Sequence, residues 1–233
     1  MFKKSAEFYD AIYSWKDYAT EALLVYGYIE KYGKSSGNTL LEVACGTGQH
    51  IQHLQSAFQI EGLDLDDEIL KVALRRCPTI PFYQADMVDF DLGKQYDAVT
   101  CLFSSIGYAN TVEKLNRAMQ HIADHLLIGG VTVIEPWLMP DKYESRHIHA
   151  IFVDKPEMKI ARMNVSYTED GISVLDFHYL IATPQGVESF NEIHRLGLFT
   201  DAQYRAAFEQ AGLQVYFESE GLDGRGLYVG VKA

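Results

Sequence analysis

The sequence is poor in cysteine, proline, tryptophan and positive charge. Its 233 residues include three cysteines, six prolines and two tryptophans. Cys45, Cys77 and Cys101 are odd in number and form no CxxC pair, so no disulfide framework is expected; they read as reduced packing residues of a cytoplasmic protein. The prolines do not cluster, and no internal repeat or low-complexity tract is present. Twenty Lys and Arg against 32 Asp and Glu leave a net charge of −12, the opposite of the basic footprint that nonspecific nucleic-acid binding requires. No apolar run approaches the ~20 residues of a membrane span. The start, Met1-Phe2-Lys3-Lys4-Ser5-Ala6-Glu7, has two lysines but no apolar core behind them, unlike a signal peptide. What remains is an ordinary globular balance, 48% hydrophobic and 22% charged. A chain of this length buries roughly 70–75% of its unfolded surface without a metal or disulfide staple.

Hydrophobic patterning divides the chain in two. Residues 7–34 are aromatic-rich, with apolar positions at three- and four-residue spacing, and predict one or two helices. Short apolar runs then alternate with helical segments. Strands are expected at 39–44, 60–65, 81–85, 96–103 and 131–135, and helices at 50–58, 67–77 and 112–127, the last closed by Gly129-Gly130. Such alternation implies parallel pairing through right-handed crossovers and a doubly wound α/β sheet. After Pro136 the segments 148–153, 159–167, 173–182 and 187–198 alternate polar and apolar residues around turns at Glu169-Asp170-Gly171 and Thr183-Pro184-Gln185-Gly186. They predict an antiparallel insert with one wet face, after which the parallel pattern resumes with a helix at 201–211 and strands at 214–219 and 226–231. The expected division is a nucleotide-binding domain of residues 1–136 plus 197–233, with residues 137–196 as a lid over the ligand face.

The first strand runs into Glu42-Val43-Ala44-Cys45-Gly46-Thr47-Gly48 and then a helix, an arrangement that brings backbone N–H groups and a helix start against a ligand. Gly46 is expected to allow the tight turn and Gly48 a close approach. A dinucleotide site adds a third glycine three residues on, where this chain has Ile51, so a smaller nucleoside is the better fit. The second strand ends in Gly62-Leu63-Asp64, placing a carboxylate to accept ribose hydroxyls. The third ends in Gln84-Ala85-Asp86-Met87, offering a carboxylate and an apolar side chain to a base. Each aspartate has an alternative use, as a helix or turn cap.

Leu41 to Gly48 looks like motif I of the class I S-adenosylmethionine (SAM) dependent methyltransferases, and the segments at Asp64 and Asp86 resemble that superfamily's ribose and adenine motifs. More narrowly, Asp97 to Gly107, Glu135-Pro136-Trp137 and Gly224 to Val231 are similar to the sugar-nucleotide N,N-dimethyltransferases of desosamine and mycaminose biosynthesis. The resemblance runs from Phe8-Tyr9-Asp10 to the last strand and is weakest over residues 140–195. It implies a seven-stranded Rossmann-like methyltransferase sheet with an antiparallel β insert after strand 5, and SAM as cofactor. The residues it implies for SAM are Tyr9, Glu42, Ala44, Gly46, Thr47, Gly48, Asp64, Leu65, Asp86, Met87, Leu102 and Phe103.

Methyl transfer needs an aligned nucleophile, a dry site and a free lone pair, but no metal. For an amine, a proton must leave first. Tyr9, Tyr108 and Glu135 are the candidates for positioning or accepting it. The position of Tyr108 is commonly His in the amino-sugar enzymes, and a neutral tyrosine is a poor base near neutrality. Tyr13, Ser105, Trp137 and Arg225 are candidate acceptor-binding residues. Tyr9, Tyr13 and Trp137 read equally as packing, and Arg225 as a turn residue or an anion clamp. His147 and His149 share a strand face without further ligands and read as a surface pair, so no metal is expected. The function expected is N-methylation of a small amine such as a nucleotide-linked amino sugar. O- or C-methylation, a nicotinamide-dependent dehydrogenase and a silent SAM-binding module are the alternatives. Partners are a small-molecule acceptor, with no nucleic acid and no membrane; the exposed edges of the insert offer a surface for a homodimer.

Overall fold

The strand that leads into the glycine turn is the middle of the sheet. In the computed structural model, which describes residues 5–233, β1 (Thr39–Val43) lies between β2 (Gln59–Asp64) and β4 (Tyr96–Cys101), parallel to both. Residues 1–4, part of the segment considered above as a signal peptide, lie outside the described residues. β3 (Phe82–Gln84) adds parallel to β2 and β5 (Leu126–Ile134) parallel to β4. β10 (Leu213–Glu218) and β11 (Leu227–Lys232) complete the order β3-β2-β1-β4-β5-β11-β10. Here the resumed parallel pattern needs correction, because β11 runs antiparallel to both its neighbours. No helix separates β10 from β11 to carry the chain back across the sheet, so the two close as a hairpin.

β1 and β4 are buried almost throughout because helices cover both faces. The apolar sides of α2 (Tyr18–Tyr32) and α3 (Gln49–Leu54) pack on one face, those of α5 (Val112–Asp124) and α6 (Asp201–Gln210) on the other. α4 (Asp67–Arg76) is capped by Asp66, whose carboxylate accepts from Glu68 N and Ile69 N. Asp64 is therefore not the cap of α4. A Cβ on Gly62 would stand 2.8 Å from Ile51 Cδ1 and 2.7 Å from the Phe82 ring. Close helix–strand packing, which a third glycine supplies in dinucleotide folds, is achieved here from the strand side, by Gly62 under Ile51. Gly129 and Gly130 do not close α5, which ends at Asp124; they sit inside β5, where the register against β4 shifts and Gly129 takes φ +77.

The insert is a separate antiparallel sheet of β6 (Ile148–Lys155), β7 (Met158–Glu169), β8 (Ile172–Thr183) and β9 (Gly186–Gly197), in that order. One end of its inner face packs Val153, Ile160, Phe177, Tyr179 and Ile181 against Ala11 and Ile12 of the N-terminal segment. On β7 the polarity is inverted from expectation: Arg162, Asn164 and Ser166 point inward and are buried, while Met163, Val165 and Tyr167 face out. The inward polar side chains line a chamber rather than a core, which is why the alternation reads backwards.

Candidate functional site

Three adjoining cavities lie over the carboxyl ends of β1, β2, β3 and β4, where the strand order turns back between β1 and β4. The first is a cleft of about 700 Å³ walled by Ala44, Asp64, Leu65, Asp86, Met87, Tyr108 and others. Asp64 is held by its own turn: Oδ2 accepts from Gly46 N at 2.9 Å and Oδ1 from Asp66 N at 3.0 Å. Burial raises its carboxyl pKa, against the downward pull of those two N–H groups. Asp86 accepts from Val88 N at 3.1 Å, so it both caps its turn and faces the cleft. Gly46 and Gly48 shape the turn rather than line it. They take φ +56 and +74, and a Cβ on Gly48 would face Ala73 of α4, not the cleft, so the close approach expected there is to a helix.

The second cavity, small and beside the glycine turn, is walled by Tyr9, Glu42, Thr47, His50, Leu102, Phe103 and neighbours. It opens onto a buried chain of charges that sequence reasoning missed. Lys16 Nζ donates to Glu21 Oε1, Glu21 Oε2 meets His50 Nε2 at 2.8 Å, and His50 Nδ1 lies 3.4 Å from Glu42 Oε1. Burial alone would discharge His50, but its bonds to Glu21 and Glu42 outweigh it and raise the ring to about 9, so it is an imidazolium at neutral pH. Among the described residues, Glu42 Oε2 is buried with no hydrogen-bond partner, a free acceptor in the wall of the small cavity. That atom, with Asp64 set in the larger cleft, fits a nucleoside carrying a charged amino group. His50, two residues after Gly48, was the available signal.

The N-terminal segment closes over this turn. Asp10, on α1 (Tyr9–Ile12), accepts from Thr47 Oγ1 at 2.8 Å and Gln49 Nε2 at 3.0 Å and pairs with Arg76. This latch sets Tyr9 between the small cavity and a third, larger one. Burial holds the Tyr9 and Tyr108 phenols well above their usual range, so neither ionises near neutrality.

The third cavity, about 550 Å³, lies between the sheet and the insert and contains Tyr13, Trp137, Arg162, His194 and Arg225 in its walls. Tyr13 Oη accepts from Arg162 Nη1 at 2.9 Å, and Trp137 Nε1 donates to Ser173 Oγ at 2.8 Å. Arg225 is no free turn residue: Gly224 and Gly226 flank it at φ +84 and +83 and turn it inward. Its Nη1 donates to Ser104 Oγ and its Nη2 to Glu135 Oε1, both at 2.9 Å, while Nε binds Asp223. Glu135 needs correction as a candidate base. It has no exposed surface, lines none of the three cavities, and its other oxygen accepts from Phe103 N at 2.6 Å. It is a bracket that fixes the turn at Phe103 and Ser104, both at positive φ. His147 and His149 stack 6.5 Å apart at the chamber mouth, and no group of three metal-ligating side chains occurs among the described residues. Ser105 lines all three cavities.

A nucleoside-sized cleft that shares the wall residues Ser105 and Tyr108 with a second chamber defines a class, a group-transfer enzyme that holds cofactor and acceptor together. A family model described as "Methyltransferase domain" matches residues 40–130. The chain is 39% identical over 232 residues to dTDP-3-amino-3,4,6-trideoxy-alpha-D-glucopyranose N,N-dimethyltransferase of Streptomyces venezuelae, covering 98% of each. It is also 39% identical to dTDP-3-amino-3,6-dideoxy-alpha-D-glucopyranose N,N-dimethyltransferase of Streptomyces fradiae, covering 97% of this chain and 90% of the relative. The crystal structure of S. venezuelae DesVI superposes with a TM-score of 0.92 at 38% identity over 99% of both chains. SAM-bound CalS10, an amino pentose methyltransferase from Micromonospora echinaspora, does so at 0.87 and 31%, covering 100% of this chain and 98% of that one. The chain belongs to the SAM-dependent methyltransferases, in the family of these sugar N,N-dimethyltransferases. Among the described residues no helix is long and apolar enough to cross a membrane.

Proposed function

We propose that the protein N-methylates the amine of a nucleotide-linked amino sugar. The observation that carries this reading is Ser105, the common wall of the cofactor cleft, the small cavity beside Glu42 and the chamber under the insert. When bound, SAM supplies an electrophilic methyl group on a sulfonium, already a good leaving group. The chain's own residues hold, orient and exclude water. In this reading Asp64 accepts the ribose hydroxyls, with Leu65 alongside, and Asp86 and Met87 flank the adenine. Glu42 takes the ammonium, Ala44, Thr47 and Leu102 wall the methionine end, and Tyr9 and Phe103 close over it. Tyr13, Ser105, Trp137 and Tyr108 wall the acceptor, and Arg225 with Glu135 keeps the turn below it rigid.

Residues 137–196 act as the lid that chooses the acceptor. The outward face of its sheet exposes Ile148, Phe152, Met163, Val165 and Leu180, which supports a homodimer formed through the insert. Sedimentation equilibrium tests this, and a monomer at micromolar concentration would refute it. For the reaction, the full chain is incubated with SAM and dTDP-3-amino-3,6-dideoxy-alpha-D-glucopyranose. Mass spectrometry should find one or two methyl groups on the amine; methylation of oxygen or carbon alone would overturn the reading.

A further inference from the structure

The turn Ser105–Ala109 carries Tyr108 to the wall between the cofactor cleft and the acceptor chamber. There its Oη lies 2.7 Å from Nδ1 of His194, a residue of β9 that is only 2% exposed. On the far side of the ring, Nε2 stands 3.7 Å from the Glu192 carboxylate, which accepts from Ser5 Oγ at 2.6 Å. The pairing is enforced by packing. A Cβ on Gly107 would come within 3.0 Å of Leu196 and 3.1 Å of Trp137, so the turn sits hard against β9. Phe177 packs on the imidazole at 5.1 Å between centroids. Among the described residues, the other titratable groups facing the pair include Tyr9 and Tyr13 from the N-terminal segment, Asp64 from β2, Tyr179 from β8 and Arg162, which lies over Phe177 from β7.

An ammonium has no lone pair to offer. A buried phenol is a poor final resting place for its proton, but a neutral phenol passes protons well, receiving one at oxygen while giving up its own. That transfer needs an acceptor behind the phenol, and His194 Nδ1 is in place. We propose that Tyr108 and His194 form a proton relay that deprotonates the acceptor amine, with Glu192 stabilising the charged ring. The inference rests on the amine-methylating function proposed above. One N–H bond of the ammonium breaks and its proton joins Tyr108 Oη, as the phenol's own proton moves to His194 Nδ1. The nitrogen keeps the electron pair, Tyr108 ends neutral, and His194 ends as an imidazolium that loses its proton to water through the chamber. His194 acts through Tyr108 and is a positioning and relay residue, not one that touches the acceptor.

The test measures kcat with SAM and dTDP-3-amino-3,6-dideoxy-alpha-D-glucopyranose from about pH 6.5 to about pH 9.5. In His194→Asn the side-chain oxygen still accepts from Tyr108 but takes up no proton. The relay predicts a loss of about 10²-fold near pH 7 that shrinks as pH rises and free amine appears. Tyr108→Phe should behave likewise, with SAM affinity within about twofold of wild type in both. Adding Tyr108→His to His194→Asn places an imidazole directly on the turn and should recover at least about tenfold. A His194→Asn enzyme with the wild-type rate and pH profile would reduce the pair to an anchor and overturn the relay. Independently of turnover, nitrogen NMR of labelled histidine in the free protein must find Nδ1 unprotonated and Nε2 protonated at neutral pH; a proton on Nδ1 overturns the relay even if His194→Asn does not fold. A wild-type enzyme that methylates no amine would bring down the function itself and the relay with it.

Discussion

Replacing Arg225 with methionine should destabilise the protein strongly, and more so at alkaline than at acid pH. The guanidinium touches Glu135, Asp223 and Ser104, and Glu135 has no solvent contact. Methionine fills much of the stem volume but leaves the Glu135 carboxylate with one backbone donor, Phe103 N. Removing one partner of a buried ion pair costs about 3–5 kcal/mol, because the other charge stays behind. At about 2–4 °C per kcal/mol for a chain of this size, Tm should fall by roughly 6–20 °C. Burial already raises the Glu135 pKa, with Arg225 pulling it down, and removing Arg225 lets it rise further. A carboxyl whose folded pKa is raised favours the folded state below its unfolded pKa and loses that advantage as pH climbs through the folded value. The variant should therefore recover part of its loss on going from about pH 8 to about pH 5.5, as Glu135 protonates. Glu135→Gln added to Arg225→Met should recover stability at neutral pH. Calorimetry at the two pH values checks this. A loss of about 1 kcal/mol or less, the size of an exposed pair, or one that does not vary with pH would refute the argument.

His50 gives a second pH signature. Its folded pKa of about 9 exceeds the unfolded value, so its contribution is complete below about 6.5 and drains away as pH rises towards 9. His50→Gln should flatten the fall in denaturant-measured stability over that window. Asp64→Ala should weaken SAM at least ~10²-fold in calorimetry, since each charge-assisted bond to a hydroxyl is worth about 1.5–3 kcal/mol; unchanged affinity would remove Asp64 from the site. Asp10→Ala breaks the latch to Thr47, Gln49 and Arg76, and should speed proteolysis of the N-terminal segment while raising KM for SAM.

Much of this was readable because it is local. An apolar strand entering a glycine turn at Gly46 and Gly48, and aspartates at the ends of the next two strands, follow from sequence spacing, as do the insert's four strands. Residues whose meaning depends on a distant partner were not readable. Glu135 read from the sequence as a candidate to position or accept the amine proton, but Arg225, 90 positions away, seals it. Lys16 and Glu21 around the start of α2, Glu42 on β1 and His50 on α3 become one charge network only when α2 packs on α3.

The sequence by itself determined the parallel sheet, its hydrophobic cover and a nucleoside rather than a dinucleotide site, since periodicity and turn chemistry act over a few residues, while SAM itself came from the family resemblance. The tertiary structure alone decided the antiparallel return of β11, the inverted polarity of β7, and the meeting of Tyr108 with His194 across 86 residues of chain. Burial and dielectric, which set charge states and the roles of polar groups, are properties of packed space, and no spacing along the chain encodes them.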